Sequence, residues 1–139
     1  MNADLSLKHR DLTDKILKVF YVVYNELGFG FLESVYENAL AIALREAGLD
    51  VEQQIPVPVY FRGRLVGDFR CDLLVEVKVI LELKAARDIA PEHVAQTLNY
   101  LRATVVEVGL ILNFGEKPSF KRLVFDNDRK NAPMNTDQT

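Results

Sequence analysis

Apolar positions in the first fifty residues recur at three- and four-residue steps. Leu12, Ile16, Val19, Phe20, Val23, Tyr24 and Leu27 fall on one stripe of a helix that begins near Asp11. Asp11 or Thr13 is the expected N-cap, and Gly28 ends the helix. A second stripe of Leu32, Val35, Tyr36, Ala39, Leu40, Ala43 and Leu44 predicts another helix that stops at Gly48. Gly28-Phe29-Gly30 predicts a break between the two rather than one straight rod.

The period then falls from 3.6 to 2. Val51, Gln53, Ile55, Val57, Val59 and Phe61 alternate with Glu52, Gln54, Pro56, Pro58 and Tyr60, which predicts a strand with two distinct faces. Pro56 and Pro58 cannot donate to a ladder, so this strand belongs at a sheet edge. Arg62-Gly63-Arg64 reads as a turn. Strands follow over 65–75 and 79–84, reversing at Glu76-Val77-Lys78 although Val77 is a poor turn residue. Pro91 marks the first turn of a third helix, whose core side is expected at Val94, Ala95, Leu98, Leu101 and the stem of Arg102. Val108 to Phe114 reads as a strand covered on both faces, and Phe120 to Phe125 as the last strand. The order is helix, helix, three strands, helix, one or two strands. It predicts an α/β (α+β) domain over 1–125 and a loose polar tail over 126–139.

Composition narrows the class without naming it. A chain of 139 residues, 49% apolar and 27% charged, corresponds to one ordinary globular domain. Such a chain buries about two-thirds of its unfolded surface, so it needs no covalent staple. The single cysteine, Cys71, excludes an internal disulfide and a multi-cysteine zinc site, and it is expected to be a buried inert thiol. Seventeen basic against twenty acidic residues give a net charge of −3, which excludes a basic coat. Nucleic-acid contact then depends on a local patch. Arg62, Arg64 and Arg70, or Lys117, Lys121 and Arg122, are available, although either group reads equally as solubilising. The N-terminus has no charged stretch followed by an apolar core, and runs such as Val19–Val23 are far short of the ~20 residues of a membrane span. A cytoplasmic protein without membrane contact is the expectation.

The chemistry concentrates in Phe69-Arg70-Cys71-Asp72-Leu73-Leu74-Val75 and Val79-Ile80-Leu81-Glu82-Leu83-Lys84. Side chains alternate across a strand, so Glu82 and Lys84 share one face while Val79, Leu81 and Leu83 share the other. In the neighbouring antiparallel strand Asp72 comes level with Glu82 if the turn register allows. Two such carboxylates can serve one Mg²⁺, whose ligands lie ~2.0–2.1 Å away. The ion polarises a phosphoryl oxygen and acidifies a water, while a lysine stabilises developing charge. Spacing alone reads as a surface ion pair, and Glu-x-Lys occurs again at Glu76-Val77-Lys78 in a solvated turn. The difference is context: Glu82 sits in an apolar run, where a lone carboxylate is costly.

Gly30-Phe31-Leu32-Glu33-Ser34-Val35-Tyr36 resembles the Gly-x-x-Glu-x-x-Tyr signature of the GxxExxY family. Asp72-Leu73-Leu74-Val75, Glu82-Leu83-Lys84-Ala85, Gln96-Thr97-Leu98-Asn99-Tyr100-Leu101 and Gly109 to Gly115 extend the resemblance, in the same order, over about 11–125. That family is similar to a small branch of the PD-(D/E)XK (restriction-endonuclease-like) nucleases, whose core is helix, three antiparallel strands, helix, strand. The resemblance implies Asp72 and Glu82 as metal ligands and Lys84 as the catalytic lysine. It further implies Glu33 as an extra acid near the metal and Gln96 as a supporting polar residue, with Tyr100 one turn along the same helix face. No proline precedes Asp72, where Cys71 stands instead. The same residues have plainer readings: Glu33 as an acid favoured by the helix dipole, Tyr36 as core with a bonded hydroxyl, His93 as solvated.

The function expected from these readings is Mg²⁺- or Mn²⁺-dependent hydrolysis of a nucleic-acid phosphodiester, DNA or RNA, by a metal-activated water. The alternatives are a catalytically silent nuclease fold that binds nucleic acid or a protein partner, and a hydrolase of small phosphoesters. A homodimer fits the two-fold symmetry that many nucleases use.

Overall fold

The computed structural model describes residues 8–130. Its elements are helices α1 (Arg10–Leu27) and α2 (Glu33–Glu46), strands β1 (Val51–Phe61), β2 (Arg64–Val75) and β3 (Val79–Lys84), helix α3 (Pro91–Arg102), and strands β4 (Val108–Asn113) and β5 (Ser119–Val124). One five-stranded sheet runs in the order β1-β2-β3-β4-β5. β3 and β4 are parallel, joined through α3, and the other neighbours are antiparallel. The mixed α/β architecture, two helices ahead of the strands, is that of a restriction-endonuclease-like fold. A 3₁₀ turn at Asn127–Arg129 follows β5, and the rest of the polar tail, 131–139, lies outside the described residues.

The sheet separates two apolar layers. Ile16, Phe20 and Val23 of α1 and Tyr36, Leu40 and Leu44 of α2 bury against Leu73, Val75, Leu81, Leu83, Leu110 and Leu112. On the opposite face α3 packs through Tyr100 and Leu101 on Val57, Cys71, Leu74, Ile80 and Ile111. Every residue of β4 is buried, as a central strand covered on both faces requires. β1 is an edge strand, which leaves the nitrogens of Pro56 and Pro58 without ladder duties.

Three expectations are corrected. His9, in the left-handed region, occupies the N-cap of α1 without a side-chain cap, whereas Asp11 lies in the first turn and Thr13 is buried with its hydroxyl on the Arg10 carbonyl. Val94, Leu98 and Leu101 form the core side of α3 as expected, joined by the buried Thr97 and Tyr100, whereas Ala95 and Arg102 are exposed. His93 is half-buried rather than solvated, because its Nδ1 accepts the Ala90 N–H and ties down the first turn.

The fourth difference matters most. The alternation along β1 and β2 inverts in mid-strand. Gln53 reaches α2 while Ile55 packs in the α3 layer, and Leu73 lies in the α1–α2 layer while Cys71 lies under α3. Residues two apart on a regular strand share a face, so both strands turn over between these positions. The pairs Gln53↔Leu73 and Ile55↔Cys71 set the inversion level with Gln54 and Asp72. Gln54 has φ 55°, a left-handed conformation that accommodates the turnover.

Candidate metal centre

β2 and β3 pair normally only at Leu73↔Leu81, Leu74↔Ile80 and Val75↔Val79. One further step would set Asp72 against Glu82. There the carboxylates take the place of the ladder: the Asp72 N–H donates to Glu82 Oε2 (3.2 Å), and the Leu83 N–H donates to Asp72 Oδ2 (2.7 Å). Each acid holds the other strand's backbone, so the strand ends open around two carboxyl groups. This is where the β1–β2 turnover falls, and beyond it the two strands pair only with each other, as a two-stranded arm.

Glu82 is 5% exposed. Burial, then the charge of Asp72, raises its pKa to about 8, against the opposing effects of the Asp72 N–H and Lys84. Burial also raises Asp72, offset by the Leu83 N–H, with Glu37 pushing further up and Lys84 pulling down. Lys84 is half-buried, and its charge acts on both acids, but no ion pair within 4.0 Å engages it among the described residues. Glu82 and Lys84 share the face opposite Leu81 and Leu83, as the strand period predicts.

Glu33 arrives from α2. Gly28 and Gly30 take positive φ (71° and 113°), and the buried Tyr36 hydroxyl donates to the Gly28 carbonyl (2.6 Å) and accepts the Phe31 N–H (3.3 Å). Tyr36 also stacks on Phe114, 4.3 Å between centroids. The glycines and the tyrosine of the sequence signature thus shape the loop from which Glu33 opens α2. The Glu33 carboxylate accepts the Ala85 N–H at 3.3 Å, directly after Lys84. Asn113 clamps the following residue through both its N–H and its carbonyl (3.0 and 2.9 Å to Ala86). Gly115 permits this approach, since a Cβ there would lie 2.1 Å from the Ala86 carbonyl oxygen.

Gln96 is exposed and donates to the Tyr100 hydroxyl (2.9 Å), so its link to the acids runs through Tyr100. The Tyr100 hydroxyl is raised to about 12 by burial and then by the Glu82 charge. Cys71 is 1% exposed and likewise raised to about 12 by burial, an inert thiol. One acid had escaped the sequence reading. Glu37 lies one helical turn beyond Glu33, its charge acts on Asp72, and Gln53 and Gln54 donate to its two oxygens (2.9 and 2.6 Å). The i, i+4 spacing from Glu33 was the available signal.

These side chains meet a chemical test for a hard divalent cation. Glu82 is a nearly inaccessible carboxylate holding a single N–H beside a second acid, an arrangement that a cation would relieve. Among the described residues no three His, Cys, Asp or Glu side chains are grouped closely enough to hold one metal ion together, so Asp72 and Glu82 stand as a pair that Glu33 does not join. Mg²⁺ does not require a full protein cage, because it keeps several waters and takes one or two carboxylates.

The comparisons agree with this architecture. The model of the PD-(D/E)XK nuclease superfamily matches residues 10–123. Among solved structures, the crystal structure of SSO0001 superposes with a TM-score of 0.50 at 11% identity, covering 86% of this chain and 61% of that one, a likeness of fold. No curated protein matches significantly. No helix among the described residues is long and apolar enough to cross a membrane. With a family match over most of its length and this fold beneath it, the chain belongs to the PD-(D/E)XK nuclease superfamily.

Proposed function

We propose that the protein is a divalent-metal-dependent nuclease of the GxxExxY branch, acting as one domain over residues 1–125. The observation that carries this reading is the opened end of β2 and β3, where Asp72 and Glu82 replace the ladder and Lys84 stands on the Glu82 face. Superfamily membership supports nuclease chemistry and the use of a divalent metal. The linked roles of Gly30, Glu33 and Tyr36 in one loop support the branch.

Asp72 and Glu82 would hold Mg²⁺ or Mn²⁺ as a pair, with Glu33 as an extra acid nearby on the Ala85 N–H and Glu37 acting on Asp72. The bound ion supplies positive charge that polarises a phosphoryl oxygen and acidifies a water. Asp72 and Glu82 are held on opposite strands by each other's backbone, which fixes the two carboxylates that would bind a cation. Lys84 brings its ammonium to charge that develops on the phosphate. Gln96 and Tyr100 form the neighbouring wall, with Tyr100 kept protonated by burial and by Glu82. DNA or RNA is the substrate class, and a cytoplasmic, homodimeric assembly is consistent with the reading.

The test is a panel of DNA and RNA substrates with Mg²⁺ and with Mn²⁺, run on wild type, Asp72→Asn and Lys84→Ala, with thermal melting as the folding control. Metal-dependent cleavage lost in both folded variants is the expected result. Cleavage that persists in both removes this site. Absence of cleavage together with absence of a Mn²⁺-induced rise in Tm leaves a binding module.

A further inference from the structure

Beside the acids the β1–β2 arm and α3 flank an open groove of about 520 Å³, lined by Phe69, Glu92, His93, Gln96, Asn99 and Tyr100 among others. It reaches the site through Tyr100, which Gln96 holds and whose hydroxyl feels the Glu82 charge. Phe69 is 47% exposed although Tyr100 packs at its side, 6.1 Å between ring centroids. Gly67 shapes this ring: a Cβ there would come within 2.7 Å of Phe69 Cε2 and 3.3 Å of Cζ. The ring therefore lies over the glycine, half uncovered. Its surroundings carry amides at Gln96 and Asn99 and, because His93 Nδ1 accepts the Ala90 N–H, an imidazole whose neutral form bears its proton on Nε2.

No lysine or arginine lines the groove and Glu92 stands at its rim, so it is not built for phosphate. An aromatic face with hydrogen-bonding amides at its edge is what a neutral, flat heterocycle requires. In a continuous duplex the base faces are stacked on one another, and only an unpaired nucleotide can offer one.

We propose that this groove takes an unpaired nucleobase, stacked on Phe69 beside the bond to be cut, so that the substrate is a single strand or an unpaired stretch of DNA or RNA. The proposal rests on the nuclease reading and names its substrate class. Gln96 and Asn99 read the edge of the base, and Gly67 keeps the ring in its stacking position.

The test is binding without metal, in EDTA, of short single strands and their fully paired duplexes, as DNA and as RNA, each carrying a fluorescent base analogue. The expected result is tighter binding of the single strand, with quenching of the analogue as it stacks. Phe69→Ala weakens single-strand binding about fivefold to a hundredfold and abolishes the quench, whereas Phe69→Tyr retains both. Gly67→Ala displaces the ring without removing it and gives a smaller loss, with its Tm as the folding control. Equal affinity for duplex, or single-strand binding and quench unchanged in Phe69→Ala, overturns the proposal. No binding of any oligonucleotide also overturns it and leaves the groove to a protein partner. Failure of the parent reading looks different: quenching that depends on Phe69 but no cleavage with Mg²⁺ or Mn²⁺ keeps the groove and removes the hydrolysis.

Discussion

Glu-x-Lys appears twice in close succession, as Glu76-Val77-Lys78 and as Glu82-Leu83-Lys84. The two copies lie at opposite ends of the β2–β3 pair and have opposite fates. At the first, Glu76 and Val77 both adopt left-handed backbone (φ 55° and 54°), the strands close tightly, and the Glu76 carboxylate accepts the Asp50 N–H at 2.7 Å. Val77 is 71% exposed there, a β-branched residue in a conformation that it rarely takes. At the second, the strands part and the acid sits 5% exposed beside another acid. Identical residue types at identical spacing therefore make a hairpin closure in one place and a charged recess in the other. What separates them is the company they keep: the first faces solvent, while the second is enclosed by β4 and α3 and confronted by Asp72.

The contrast predicts graded outcomes. The largest is catalytic. Lys84→Ala is expected to lower metal-dependent cleavage by at least about a hundredfold, while Lys78→Ala leaves it within about twofold of wild type. Steady-state rates on one substrate decide this, and equal losses at the two lysines would erase the distinction.

The next concerns stability and pH. The folded-state pKa of Glu82, about 8, lies above its ordinary value of 4.5, so folding favours the protonated group. Its contribution is complete below about pH 4.5 and is lost as the pH rises to about 8. Metal-free Glu82→Gln is therefore expected to be more stable than wild type near pH 8, on the order of a few kcal/mol, with much of the gain gone near pH 5. The same variant loses the rise in Tm that Mn²⁺ gives wild type. Glu76→Gln changes neither pattern, and its own cost is about 1 kcal/mol or less. Melting curves at the two pH values, with and without Mn²⁺, supply the check.

Tyr36→Phe tests how Glu33 is presented to the second copy. It removes the hydroxyl that the half-buried Gly28 carbonyl and the Phe31 N–H share, at a cost of about 1 kcal/mol. Cleavage falls with it if the loop carries Glu33 to the site. The smallest effect is expected at Glu37→Gln, which removes a charge that raises Asp72. Any acidic limb of the pH–rate profile then moves to lower pH, with a change of only a few-fold at the plateau. An unmoved limb would separate Glu37 from the site.

Much of the fold was legible because helical and strand periods are local properties of the chain. The edge assignment of β1 followed from two prolines, the double burial of β4 from an unbroken apolar run, and the helix stops from Gly28 and Gly48. The inversion at Gln54 and Asp72 was not legible. A period-2 pattern is blind to a residue such as Gln54 entering the left-handed region, and no glycine marked the place. The burial of Thr97 and Tyr100 on α3 has a similar origin, since they are covered by what α3 packs upon rather than by their own polarity.

The sequence by itself determined the elements and their order, because steric propensity and the spacing of apolar side chains act over a few residues. Only the tertiary structure decided which of two equal Glu-x-Lys segments became a charged recess, that Glu37 stands behind Asp72, and that Phe69 lies open beside Tyr100 over a glycine. Burial and electrostatic coupling depend on groups far apart in the chain, and their values exist only once those groups have been brought together.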